Sequence, residues 1–102
     1  MLNTTGTDSK NHPKMGDSYA QLRLGYYFTK GIYVKRSQKV AFYFYEQAAH
    51  NGNSEAQLNV ALCFIKGLGI YKNKRNAVLY LKEASNNGNP KAQYIYGICL
   101  MR

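Results

Sequence analysis

The hexapeptides Gly16-Asp17-Ser18-Tyr19-Ala20-Gln21, Gly52-Asn53-Ser54-Glu55-Ala56-Gln57 and Gly88-Asn89-Pro90-Lys91-Ala92-Gln93 decide the fold. They align without a gap, at an offset of 36 both times. A fixed period of this length marks an array in which each unit is one supersecondary element. Residues 16–51 and 52–87 share 11 identities in 36 positions: Gly16, Ser18, Ala20, Gln21, Leu22, Phe28, Lys30, Gly31, Ala41, Ala48 and Asn51 all recur 36 residues on. Ordinary residue frequencies would give about two. Residues 88–102 repeat the opening of the unit a third time.

Each unit reads as two helices, A and B. Asp17, Asn53 and Asn89 are suited to cap helix A, and Pro90 falls at a first helical position, where its missing N–H costs nothing. Ala20, Leu24, Gly25 and Phe28 follow at i, i+4, i+5 and i+8, one helical face, matched by Ala56, Val60, Ala61 and Phe64. The small residues Gly25, Ala61 and Gly97 would let another helix approach closely. Gly31 and Gly67 end helix A through a left-handed residue that satisfies the last carbonyls. Ser37 and Asn73 cap helix B, whose inner face is Ala41, Phe44, Tyr45 and Ala48, then Ala77, Tyr80, Leu81 and Ala84. Gly52 and Gly88 end helix B. No segment alternates with period two, so no sheet is expected.

One such hairpin cannot bury both of its apolar faces, but stacked neighbours cover each other. The expected fold is all-α: an α-solenoid of antiparallel helical hairpins, about two and a half 36-residue repeats long. It occupies residues 15–102 as units 16–51, 52–87 and a partial 88–102. Residues 1–14, MLNTTGTDSKNHPK, are polar and without helical or strand period, and read as a disordered tail.

With 102 residues the chain is one domain's worth. It has no apolar run of the roughly 18 residues a membrane span needs, and no secretory leader is visible, so a cytoplasmic site is the expectation. Lys and Arg number 14 against 5 Asp and Glu, a formal charge of +9.

The spaced residues resemble the Sel1-like repeat, a relative of the tetratricopeptide repeat. Its pattern has Ala, Leu-Gly and an aromatic on helix A, a G-x-G-hydrophobic turn, then Asp, Ala, an aromatic pair, Ala-Ala and Gly through helix B. Unit one supplies Ala20, Leu24-Gly25, Phe28, Gly31, Val34, Ala41, Phe44-Tyr45, Ala48-Ala49 and Gly52. Unit two supplies Ala56, Phe64, Gly67-Leu68-Gly69-Ile70, Ala77, Tyr80, Ala84 and Gly88. Tyr33 replaces a turn glycine, Ser37 and Asn73 stand where Asp is usual, and Ser85 replaces the second Ala. The resemblance implies an adaptor or scaffold for protein complexes, not an enzyme.

Two surfaces are candidates for binding. Tyr19, Leu22, Tyr26, Leu58, Leu62, Tyr94 and Ile98 form a second apolar face of helix A, about half a turn from the first. In arrays resembling tetratricopeptides this face is concave and would hold a peptide or a partner helix; the alternative is that these residues are core against the next hairpin. The basic residues also keep the period: Lys30, Lys66 and Arg102 are equivalent, as are Arg36 and Lys72, and Lys39 and Arg75. Stacking lines them up as a rim that would attract nucleic acid or an anionic surface, or would simply be a solvated edge. The expected partner is another protein or peptide, with nucleic acid the lesser alternative and no small-molecule substrate.

Cys63 and Cys99 are equivalent. Stacked helices lie about 8–10 Å apart, beyond the roughly 7 Å a disulfide spans, so both are expected as free thiols. Cysteine-rich members of the family pair cysteines within one repeat, which this chain does not. His12 and His50 lack a nucleophile or carboxylate at motif spacing, so no catalytic site, metal or cofactor is expected. Helix A of the third unit has no helix B to cover it. A homodimer, a longer array or packing on unit two alone would each resolve that.

Overall fold

A computed structural model of the chain describes residues 15–101; the tail, His12 and Arg102 lie outside them. Five helices run in order: α1 (Met15–Lys30), α2 (Gln38–His50), α3 (Ser54–Lys66), α4 (Lys74–Asn86) and α5 (Pro90–Leu100). Among the described residues there is no strand. α1, α3 and α5 are the A helices, and α2 and α4 the B helices. Each helix packs on its chain neighbours, most extensively within the hairpins α1–α2 and α3–α4.

The boundaries follow from local chemistry. Ser37, Asn53, Asn73 and Asn89 each accept a hydrogen bond from the amide three residues on, at 2.8–3.2 Å. That satisfies a donor the first helical turn leaves open. Gly67 is left-handed (φ 74°), and the amides of Gly67 and Leu68 both return to the Cys63 carbonyl. Gly31 and Ile32 close on Tyr27 in the same way. A further bond crosses each turn: Ser37 N–H to the Phe28 carbonyl at 2.9 Å, and Asn73 N–H to that of Phe64 at 3.0 Å. Each A–B turn is therefore closed by main-chain bonds at both of its ends.

Asp17 does not cap helix A of unit one. α1 is already helical from Met15, so Asp17 stands inside the first turn, where its carboxylate complements the helix dipole.

Aromatic stacking fixes the distance between the two helices of a hairpin. Phe28 and Phe44 stack at 5.7 Å and 12°, and their equivalents Phe64 and Tyr80 meet tilted at 6.0 Å and 31°. Phe42 meets Phe64 edge-on at 5.5 Å and joins the two hairpins. Small residues do the rest: Ala41, Ala48, Ala56, Ala61, Ala77, Ala84 and Ala92 are all buried. Two apolar clusters result, one spanning α1 to α4 and one joining α3 and α4 to α5.

The expected inner stripe of α1 is half right. Gly25 and Phe28 pack on α2, but Ala20 is exposed and Leu24 is 37% exposed. Their equivalents Ala56 and Val60 are fully buried because α2 lies in front of α3. Among the described residues no B helix lies in front of α1.

Candidate functional site

Turning the three A helices onto one side of the stack leaves a cleft between each adjacent pair. The first, about 260 Å³, is lined by Tyr19, Leu22, Arg23, Tyr26 and Tyr27 of α1 with Glu55 and Asn59 of α3. The second, about 320 Å³, is lined by Glu55, Leu58, Asn59 and Leu62 of α3 with Asn89, Pro90, Lys91 and Ile95. Glu55 and Asn59, one helical turn apart on α3, belong to both clefts. They form the ridge between the two.

The structure sorts the seven residues expected to bind a peptide. Tyr19 and Tyr26 are half-exposed walls of the first cleft. Leu22 and Leu58 are only 8% and 5% exposed; each belongs to an apolar core cluster and forms the floor of its cleft. These two residues thus pack in the core and also face a cleft. Leu62 is half-buried in the second cleft. Tyr94 and Ile98 are exposed on α5 but lie outside both clefts.

Polar lining residues were not expected from the apolar pattern. Arg23, one turn after Tyr19, donates to the Tyr27 hydroxyl at 3.0 Å, and its guanidinium lies 5.8 Å from the ring centroids of both Tyr19 and Tyr27. These contacts raise its pKa further, chiefly through the Tyr27 hydrogen bond, so it is a permanent cation at the cleft wall. Lys30 lies 5.9 Å over the Tyr26 ring. The amide of Asn59 makes no hydrogen bond among the described residues. The signal for Arg23 and Asn59 was present: they are equivalent, and they sit at i+4 from Tyr19 and Glu55 on the stripe already identified.

The clefts thus offer aromatic and aliphatic walls, two cations (Arg23 and Lys91), one carboxylate (Glu55) and an uncommitted amide. That set can offer a ligand apolar contact, hydrogen bonds and charge-assisted hydrogen bonds.

Of the residues expected on the rim, Lys30, Arg36, Lys39, Lys66, Lys72 and Arg75 are all exposed at or beside the A–B turns. Arg36 donates from Nε to the Thr29 carbonyl at 3.0 Å. Cys63 is buried, Cys99 half-buried, and both are free thiols. Burial pushes the Cys63 thiol up to about 11.

Comparison with known proteins places this geometry. The chain is similar to a Sel1 repeat protein from Oxalobacter formigenes, with 33% identity and a TM-score of 0.78, over 93% of this chain and 37% of that one. It is also similar to cysteine rich protein B of Helicobacter pylori (25% identity, TM-score 0.76, 78% of this chain and 60% of that one). A protective antigen of uropathogenic Escherichia coli with an SLR fold shares the architecture (24% identity, TM-score 0.78, 81% of this chain and 18% of that one). This chain therefore spans less than two thirds of each of these proteins. No curated protein sequence matches it. The Sel1 repeat model matches residues 18–53 and 54–89, two adjoining 36-residue units on the hairpins described above, and the chain belongs to the Sel1 repeat family.

Proposed function

We propose that the chain is a protein-interaction module that holds a peptide or a partner helix across the two clefts of its A-helix face. Sel1 repeat proteins serve in general as scaffolds for protein–protein interaction rather than as enzymes, and the finer assignment here is to the surface used. One observation carries it. The two clefts share the Glu55–Asn59 ridge, so a single ligand crossing α3 can place a side chain on each side of the ridge and present its main chain to Asn59.

Such a ligand needs two apolar anchors, for the Tyr19–Tyr26 and Leu62–Ile95 walls. A carboxylate beside either anchor would face Arg23 or Lys91. The test is affinity capture with three forms of the chain: wild type, Tyr26→Glu with Asn59→Ala, and Tyr43→Glu as a control. Tyr43 is exposed on α2 and lines neither cleft. A partner retained by wild type and the control, and lost from the cleft variant at unchanged helicity, supports the assignment. A partner held equally by all three refutes it.

A further inference from the structure

The edge carrying the A–B turns is a different surface, with its own chemistry. Residues 30–39 and 66–75 hold eight of the chain's 14 Lys and Arg residues and no Asp or Glu. All eight are exposed, and among the described residues none forms an ion pair. Among the described residues two of them have an internal partner, Arg36 on the Thr29 carbonyl and Lys30 over the Tyr26 ring. Six cations on one edge thus face solvent without compensation. Their mutual repulsion is a cost that a polyanion would relieve.

Two tyrosines stand in this field. Tyr33 is 90% exposed and Tyr71 is 92% exposed, the two most exposed large hydrophobic side chains among the described residues. Tyr33 takes a left-handed backbone (φ 66°) at the place that Gly69 occupies in the second hairpin. A side chain adopts that conformation only at a cost, and such outliers gather where function requires them. The Tyr33 ring is steadied edge-on against Tyr27 at 5.5 Å and 90°. Between the turn of the second hairpin and the start of α2 lies a hollow of about 370 Å³. It is lined by Lys39, Gly67, Gly69, Ile70 and Tyr71. It combines one cation, an aliphatic floor and an aromatic wall.

We propose that this edge docks on the anionic face of a phospholipid membrane. Tyr33 and Tyr71 enter the headgroup layer, the unpaired lysines face lipid phosphates, and the Lys39 hollow receives one headgroup. Tyrosine suits that layer because its ring is apolar and its hydroxyl polar. Clustered lysine and arginine are drawn to acidic lipid within a Debye length of the surface. No helix among the described residues is long and apolar enough to cross a membrane, and the contact proposed is that of this edge with the membrane surface. A nucleic-acid strand fits less well. Such a strand is held by rings that stack successive bases along a basic groove, whereas this edge presents two exposed tyrosines, one on each turn.

The chain has no tryptophan, so Tyr71→Trp provides a single reporter at an exposed site. Wild type and Tyr71→Trp would be mixed with vesicles of phosphatidylcholine, with vesicles also containing phosphatidylserine, and with a single-stranded oligonucleotide. The expected result is cosedimentation of both proteins with the phosphatidylserine vesicles only, a blue shift of the tryptophan there, and weakening as salt rises. Lys39→Ala with Arg75→Ala should lower that partitioning more than tenfold, at about fivefold per charge removed, with helicity unchanged. Absence of cosedimentation at low salt would overturn the proposal, as would equal binding to neutral vesicles. Tighter binding to the oligonucleotide than to the vesicles would replace it with a nucleic-acid surface.

Discussion

At Gly25 and Gly97, equivalent places in two A helices, a methyl group would meet different surroundings. A Cβ at Gly25 would lie 2.5 Å from the ring of Tyr45, which is buried and hydrogen-bonded at 3.0 Å to Thr29. A Cβ at Gly97 would meet nothing within 4 Å. Gly25→Ala should therefore destabilise the fold by about 1–3 kcal/mol through overpacking. Gly97→Ala should stabilise it by up to about 1 kcal/mol, the helix-propensity gain alone. Denaturant titrations of the two variants would show opposite shifts in midpoint. The paired turn residues are explained in the same way. A Cβ at Gly69 would run into the Gln38 carbonyl of the preceding hairpin, whereas Tyr33 stands at the equivalent place with an almost fully exposed side chain. The departure of Tyr33 from the repeat pattern was visible in the sequence. Among the described residues no preceding hairpin packs on the Tyr33 turn, a long-range circumstance that no local pattern records.

Cys63 carries a pH dependence. Its folded pKa is raised from 9.0 to about 11 by burial, so folding favours the neutral thiol. That preference is intact below pH 9 and is lost as pH rises toward 11, because the unfolded chain ionises first. The loss is at most about 2–3 kcal/mol. Burial moves the Tyr45 and Tyr80 hydroxyls the same way. Stability should fall between pH 9 and pH 11, and Cys63→Ala should fall less steeply over that interval. Equal slopes would mean the tyrosines account for the whole effect.

Among elements, the repeat is joined by a hydrogen-bonded bridge. Asn87, just past α4, donates from Nδ2 to Oε1 of Gln57 at 3.0 Å, and Gln57 donates from Nε2 to the Ala49 carbonyl of α2 at 3.2 Å. One buried side chain thus ties three successive helices. The first hairpin repeats half of it, Asn51 to Gln21 at 2.9 Å, and α5 the other half, Gln93 to the Ser85 carbonyl at 3.2 Å. Gln57→Leu keeps the bulk but removes both bonds of the bridge, and at about 0.5–1.5 kcal/mol for each it should cost about 1–3 kcal/mol. Gln93→Leu, at an exposed site, should change stability by less than about 0.5 kcal/mol. Thermal melts of the pair test the difference. Caps and turn glycines were legible because each signal and its effect lie within a few residues. The Gln and Asn identities were equally visible, yet their role was not, because the partners stand 30 residues apart. The clefts were half legible for a similar reason. The apolar stripe located the face, but whether Leu22 is wall or floor depends on how closely α3 approaches.

The whole molecule is a stack whose cohesion comes from neighbours, so equivalent residues should differ in energetic weight by position alone. α3, flanked by α2 and α4, buries seven residues, while α5 buries only Ala92. Amide exchange should accordingly be slowest in α3 and fastest in α5. Ala20 and Ala56 test the same asymmetry with one chemical change. Ala56 is fully buried against α2, and Ala20 is exposed. Ala56→Leu must push α3 away from α2 and should lower stability by about 1–3 kcal/mol. Ala20→Leu faces no helix among the described residues and should stay within about 0.5 kcal/mol of wild type. Equal losses would show that the front of α1 is covered in solution as α2 covers α3, and the asymmetry argued here would fall.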